Sequence, residues 1–471
     1  MFDRPTLHAL LRACPLIASV QSSPGSPVEH PETLLRLAQA SIAEGVGLLR
    51  LQGVDNIRTI KAATQVPVIG LLKVDYPDSP VYITPTSTEV QQLLELGCEV
   101  IALDATERPR PGGETLSDLI QMIHAAGRLV MADVDTEENA LRAAALGADL
   151  VSTTLSGYTP SSPATKGPDF DLLRRLAGKL AVPLIAEGRY SEPWHLQAAL
   201  GIGAHAVVIG GALNDPVKQT RAFLAACPRR SEPVMAIDIG GTWLRAAFFS
   251  PDFALIDQDR IALPATSAER AAWMRKRAET WGLRRISISS GGTIDPITTE
   301  VIEAKPIIPD HVGTNFRMQL SGHEVSAMND GLATAWGQAC RPEFAGLRVA
   351  TLALGTGVGF GLVDRGRILS GPNGEYPRIN DVPTADGRSF EDLLGGAGLT
   401  PNPDPQQKAD ALVAGRQAVE LVRSLYYPDA IVVGGGVGLS DWLDLGLPHA
   451  AWGHDAGLYG AAALALFPPV A

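Results

Sequence analysis

The sequence predicts an α/β protein of two domains, a (β/α)8 barrel over residues 1–228 followed by a second α/β domain over residues 233–471. Three observations carry this. The chain has 471 residues, more than a single hydrophobic core usually supports. Short β-rich runs alternate with Ala/Leu-rich helical segments through its first half. Finally, "AFLAACPRRSEPVM" crowds proline, serine and charge together before a new strand begins, which marks a boundary near residues 227–233.

The β-rich runs are, in order, "PLIASVQ", "VGLLRLQG", "PVIGLLKVD", "EVIALDAT", "LVMADVD", "LVSTTLSGY", "PLIAEGRY" and "AVVIGGAL". Between them lie segments such as "STEVQQLLELG" and "TEENALRAAALG", with Ser or Thr near the start and Gly at the end, as helix caps require. Eight such units are the count of a (β/α)8 barrel, although a doubly wound open sheet would give a similar rhythm. The third run, "GLLKVDYPDSPVYITPT", reads as a buried strand with Lys73 inside it, an expensive residue for a strand that only fills a core.

Composition narrows the function. Hydrophobic content of 45% against 19% charged residues describes a compact globular protein rather than a disordered one. With 39 basic and 51 acidic side chains the net charge is -12, which repels a phosphate backbone and an anionic bilayer, so neither nucleic acid nor membrane is expected as a partner. "MFDRPTLHALLRACPLIASVQ" has no basic segment followed by a long apolar run, and the chain is read as cytoplasmic. Cys14, Cys98, Cys227 and Cys340 are scattered without CxxC spacing, which suggests neither a disulfide framework nor a cysteine metal site.

In a barrel the carboxyl ends of the strands converge on one mouth. Those ends carry Gln21, Arg50, Lys73, Asp104, Asp133, Thr153, Thr154, Ser156, Glu187, Arg189, Gly210 and Gly211. Any one of them could be a loop residue facing water; together they form a candidate site. The last three runs end in small, Gly-containing turns whose backbone N–H groups can approach an anion, where barrels often hold phosphate. A sugar phosphate fits such a mouth.

These same motifs, "GLLKVDYPDSPVYITPT", "IALDAT", "STTLSGYT", "IAEGRY" and "AVVIGGAL", resemble in chain order those of the N-acetylmannosamine-6-phosphate 2-epimerases across about residues 1–225. The resemblance implies interconversion of N-acetylmannosamine 6-phosphate and N-acetylglucosamine 6-phosphate, with Lys73 and Glu187 as the catalytic pair. Inverting carbon 2 of an open-chain 2-acetamido aldose removes the proton beside the aldehyde and returns one to the opposite face. Lysine does this only when burial or neighbouring cations lower its pKa toward neutrality, as a strand end beside Arg50 would allow. Glu187 either relays the proton or holds the amine. Arg50 and Gln21 resemble positions that contact substrate oxygens, whereas Asp104 and Asp133 either orient the lysine or a hydroxyl or form salt bridges within the barrel.

The second half opens with "VMAIDIGGTWLRAAFF", a strand running into a Gly pair and a threonine. Asp238, Gly240, Gly241 and Thr242 would bring N–H groups, a hydroxyl and a carboxylate near a phosphate and its magnesium. "LALGTGVGFGLV" repeats the device with Gly355, Thr356, Gly357 and Gly359, and "AIVVGGGVGLS" adds a third turn containing Gly435. Residues 233–471 thereby resemble the actin-like (ribonuclease-H-like), two-lobed sugar kinases and, more narrowly, the ROK family. The resemblance implies ATP and Mg2+ as cofactors, Asp330 in "SAMNDGLATAWGQ" as the general base, and Gly291, Gly292, Asn315, Asn329, Glu375 and Glu391 as substrate contacts. The bland alternative for Asp330 is a helix N-cap.

One departure stands out. Many ROK members bind a structural zinc through a GExGH element and a CxCGxxGCxE run, whereas the matching stretch here reads "NGEYPRINDVPTADGRSFEDLL", without cysteine and with Arg378 in place of histidine. No zinc is therefore expected, and no metal-ligating residue is assigned. Joined together, the halves imply two successive steps of amino-sugar and sialic acid catabolism, acting on small amino sugars and their phosphates. A glucokinase-like half beside another phosphosugar isomerase, or a ROK-type sugar-responsive regulator, are the alternatives; a homo-oligomer stays open.

Overall fold

The computed structural model describes residues 2–165, 167–229, 231–396, 398–399 and 402–469. The chain separates into two compact units, Met1–Ala222 and Phe223–Ala471, the division falling inside the helix Pro216–Ala225.

The first unit is a closed barrel of eight parallel strands: β1 (Leu16–Val20), β2 (Leu49–Gln52), β3 (Val68–Leu71), β4 (Val100–Asp104), β5 (Leu129–Asp133), β6 (Leu150–Ser152), β7 (Leu184–Glu187) and β8 (Ala206–Ile209). Both faces of every strand are buried, which is why the runs are apolar without alternation. The pleat still sorts them. Ile69, Leu71, Val100, Ala102, Leu129, Met131, Ile185, Ala206 and Val208 cluster inside the barrel, while their neighbours Val68, Ile101, Leu103, Val130, Ala186 and Val207 pack outward with the helices. Counting on by two from the inward set reaches Asp104, Asp133 and Glu187, so the period of the strand aims these carboxylates into the mouth.

The helices between strands start where the caps predict. Ser87–Glu95 has Thr86 as N-cap in a capping box with Glu89, and Glu137–Ala145 is capped by Thr136. The third strand differs from expectation. β3 ends at Leu71, and Lys73 lies beyond it, in an isolated antiparallel bridge with Ile83. The chain there folds back on itself, Val74 N donating to Tyr82 O and Thr84 N to Leu72 O, and this excursion takes over the backbone hydrogen bonds that a longer strand would have used.

The second unit has two lobes. In the first, β9 (Val234–Ile239), β10 (Trp243–Phe249), β11 (Leu255–Ala262), β12 (Arg285–Ser290) and, after the small pair β13 (Thr293–Ile294) and β14 (Val301–Glu303), β15 (Glu324–Asn329) make a five-stranded sheet ordered β11-β10-β9-β12-β15. In the second, β16 (Arg348–Leu354), β17 (Val358–Asp364), β18 (Arg367–Ile368) and β19 (Ala430–Gly434) are ordered β18-β17-β16-β19. This is the two-lobed ribonuclease-H-like arrangement the sequence implies. The helix Asp330–Ala339 joins the lobes and is packed through glycines. A Cβ on Gly331 would stand 2.7 Å from Phe360 O, and one on Gly460, in the helix Ala456–Leu466, 2.3 Å from Ala333 O. Among the described residues no helix is long and apolar enough to cross a membrane.

Candidate active sites

At the barrel mouth the inward carboxylates meet two cations. Arg50, 1% exposed, forms a two-point pair with Asp133 (Nη2–Oδ2 2.6 Å, Nη1–Oδ1 3.2 Å), and its Nε lies 3.3 Å from Glu187 Oε1. Burial alone would lower the Arg50 pKa, but the two carboxylates outweigh it and hold the guanidinium charged. Thr154 Oγ1 sits 2.7 Å from Asp133 Oδ1 and 2.9 Å from Glu187 Oε2. Lys73 Nζ reaches across to Gln21 Oε1 at 2.7 Å, and Gln21 in turn donates to Ser19 Oγ.

The protonation states are pushed in opposite directions. Burial first, then the charge of Arg50, lowers the Lys73 pKa, with Lys218 adding to it. Burial raises that of Glu187 and Asp133 assists, against the pull of Arg50. The two shifts thus oppose one another around one arginine, with the Lys73 side chain itself exposed at the mouth.

The other expected residues divide. Asp104 is fixed by Arg108 (2.6 Å) and by the N–H and hydroxyl of Thr106. Thr153 Oγ1 donates to Glu187 O and accepts from Glu187 N, which ties β6 to β7. Ser156 Oγ donates to Asp169, and the Arg189 guanidinium donates to Gly167 O and Ser156 O while lying over the Tyr158 ring. These side chains brace the loops after β6 and β7. Gly210 and Gly211 follow β8, with Lys218 lying along Gly211. Lys218, Ser152 and Tyr82 join the mouth without a signal in the sequence, and the Tyr82 phenol pKa is raised by burial and by the charges of Asp133 and Asp104.

Between the lobes of the second unit lies a cleft of about 790 Å³. Its walls carry Asp238, Gly240, Gly241, Thr242, Gly291, Gly292, Asp330, Gly355, Thr356, Gly357, Gly359, Glu391 and Gly435, so residues distant in the chain converge. Asn329 is the N-cap of the helix Asp330–Ala339, its Oδ1 accepting from Gly331 N and Leu332 N, while its Nδ2 donates to Gly292 O at 3.0 Å. Asp330 occupies the first helical position instead. It is open to the cleft but enclosed by protein on its other sides, and this desolvation, together with the charge of Asp238, raises its pKa to about 6.

Asp238 is paired with Arg245, its partner across the β9–β10 hairpin, and Arg245 also donates to His454 O. Glu391 Oε2 accepts from Val358 N at 2.9 Å. Three expected contacts are absent from the walls: Asn329 is turned to its capping role, Asn315 caps the helix Phe316–Gln319, and Glu375 accepts from Asn373 N and Nδ2. Lys305 and Tyr376 line the cleft and were not anticipated; burial and the Asp330 charge push the Tyr376 phenol up to about 12.

The cleft fits a magnesium nucleotide. No heavy atom lies within 4 Å of where a Gly355 Cβ would stand, so its backbone is approachable, and Asp238 and Asp330 both present oxygen to the same space. Among the described residues no group of three or more His, Cys, Asp or Glu could hold a metal ion, so magnesium there would take phosphate oxygens beside one or two carboxylates.

Known proteins match both halves. The family described as NanE, "Putative N-acetylmannosamine-6-phosphate epimerase", matches residues 34–228, and the ROK family matches residues 234–386. The "Putative N-acetylmannosamine-6-phosphate 2-epimerase" of Clostridium perfringens is 47% identical over 208 residues, which are 44% of this chain and 94% of that protein. A solved structure of the epimerase from the same organism is 44% identical and covers 46% of this chain and 95% of its own, with a TM-score of 0.46. The "Bifunctional enzyme NanE/NanK" of Brucella melitensis is 33% identical over 503 residues, spanning 96% of each chain. A likeness that runs through the barrel, the junction and both lobes makes this chain a member of the bifunctional NanE/NanK family.

Proposed function

We propose that the second unit transfers phosphate from ATP to the 6-hydroxyl of N-acetylmannosamine and that the barrel epimerises the product at carbon 2 to N-acetylglucosamine 6-phosphate. One observation carries the reading: Lys73 and Glu187 face one mouth with pKa values displaced toward each other around Arg50. Lys73 Nζ takes the carbon 2 proton of the open-chain sugar, and the Glu187 carboxyl returns one to the other face. Arg50, held charged, stabilises negative charge as it develops on the sugar oxygen. In the cleft Asp330 accepts the 6-hydroxyl proton, while the Gly-rich turns and Asp238 orient the phosphates. ATP supplies the phosphoryl group, and magnesium neutralises its charge. The test offers the full chain N-acetylmannosamine, N-acetylglucosamine and glucose with ATP, and separately N-acetylmannosamine 6-phosphate. Preferential use of glucose, or no 2-epimer from the phosphate, would overturn the corresponding half.

Asp330 gives this kinase a pH signature. Its pKa of about 6 means that the basic form is lost as pH falls through that value. Kinase kcat/KM is expected to be flat near neutrality and to drop roughly tenfold per pH unit below about pH 6. A profile that stays level to about pH 5 would remove Asp330 as the group that titrates.

The loop where relatives bind zinc is held here by other means. Glu375 O accepts from Gly371 N, Arg388 pairs with Asp386 and Asp410, Ser389 and Asp392 form a capping box, and Phe390, Leu393 and Leu394 enter the second lobe's core. Phosphorylation with excess magnesium is accordingly expected to survive treatment with a zinc chelator. Stoichiometric bound zinc, with activity lost on its removal and restored by zinc alone, would refute this.

A further inference from the structure

Two short segments face each other at the mouth of the cleft. Glu303 and Lys305 leave β14 on the first lobe, whose core contains Val301 and Ile294. Arg378, Asp381 and Glu391 ride on the second lobe, whose core contains Ile379 and Phe390. The pairs cross between them with alternating sign. Arg378 grips Glu303 through both terminal nitrogens, Nη1–Oε1 being 3.0 Å, and Lys305 Nζ stands 3.4 Å from Asp381 Oδ1 and 3.6 Å from Glu391 Oε1. The backbones also touch: a Cβ on Gly374 would stand 2.0 Å from Ile294 O.

We propose that these five residues form an ionic latch between the lobes, and that Lys305 is a positioning residue which holds Glu391 in place for the sugar. This rests on the kinase reading above and deepens it. Glu391 has two carboxylate oxygens with separate duties: Oε2 accepts from Val358 N on the second lobe, and Oε1 faces Lys305 from the first. Both oxygens are therefore engaged only while the lobes are together. An isolated exposed pair contributes little, but a two-point arginine pair beside a lysine shared by two carboxylates acts on one equilibrium, lobe closure, where small terms add. Because the side chains are reached by solvent, salt screens them.

The test uses the full chain, with N-acetylmannosamine and ATP. Glu303→Arg and Arg378→Glu are each expected to raise the sugar KM roughly fivefold, and the double exchange Glu303→Arg/Arg378→Glu to return it to within about twofold of the parent, a recovery that a merely structural role would not give. Lys305→Met is expected to raise the sugar KM more than that for ATP. The parent's sugar KM should climb with added salt, and that of Lys305→Met should climb less. A double exchange no better than the worse single change, or a sugar KM indifferent to Lys305→Met, overturns the latch. If the parent uses glucose instead, the proposed substrate falls while the same exchanges, read on glucose, still decide the latch.

Discussion

A Lys73→Ala chain is expected to lose exchange of the carbon 2 hydrogen of N-acetylmannosamine 6-phosphate with solvent deuterium, by roughly a hundredfold or more, while the same chain still phosphorylates sugar. The expectation rests on position as much as on pKa. Lys73 is outside β3 but bridged to Ile83, so its backbone is fixed while its amine reaches Gln21 across the mouth. Removing the side chain takes away the base without touching the Arg50–Asp133–Glu187 cluster, whose ties run through Thr154 and Thr153. Deuterium incorporation followed by proton NMR reads the step directly. Undiminished exchange would remove Lys73 from the mechanism and leave Glu187 to act alone.

The second large effect is at Asp330. Asp330→Asn preserves the size of the side chain and an oxygen for Gly331 N, yet cannot accept the 6-hydroxyl proton. Phosphoryl transfer is expected to fall roughly a hundredfold or more, with the loss in kcat. A stability measurement separates this from misfolding. The carboxyl pKa is raised from 3.8 to about 6 in the folded chain, so ionisation is harder there than in the unfolded one, and stability is lost as pH rises through that interval. At neutral pH the asparagine chain should unfold at the same temperature as the parent or a higher one. Near-parental turnover would mean that another group takes the proton.

Much of the architecture could be read from the sequence because burial on both faces of a parallel strand leaves an unmistakable apolar run, and capping residues mark the helices between. The end of β3 could not, since it depends on a chain excursion whose partners lie about ten residues on. The partners of polar side chains in the loops after the strands were equally hidden. Ser156 answers to Asp169 and Arg189 to Gly167, and no local pattern announces such pairings. Arg245 is a different case: a strand, a Gly-Gly turn and a strand place residue 245 opposite residue 238, so hairpin counting would have found the partner of Asp238. Lys305 has no such signal, because its partners come from the other lobe.

The glycine packing around the helix Asp330–Ala339 has a consequence for heredity. A methyl group on Gly331 would collide with the backbone of Phe360, and one on Gly460 with that of Ala333, so the helix that begins at Asp330 has no room to yield on either flank. Random mutagenesis scored for loss of phosphorylation should therefore recover glycine-to-alanine lesions at both positions. Such alleles would look innocuous by chemical similarity and behave as nulls for one activity while sparing the other.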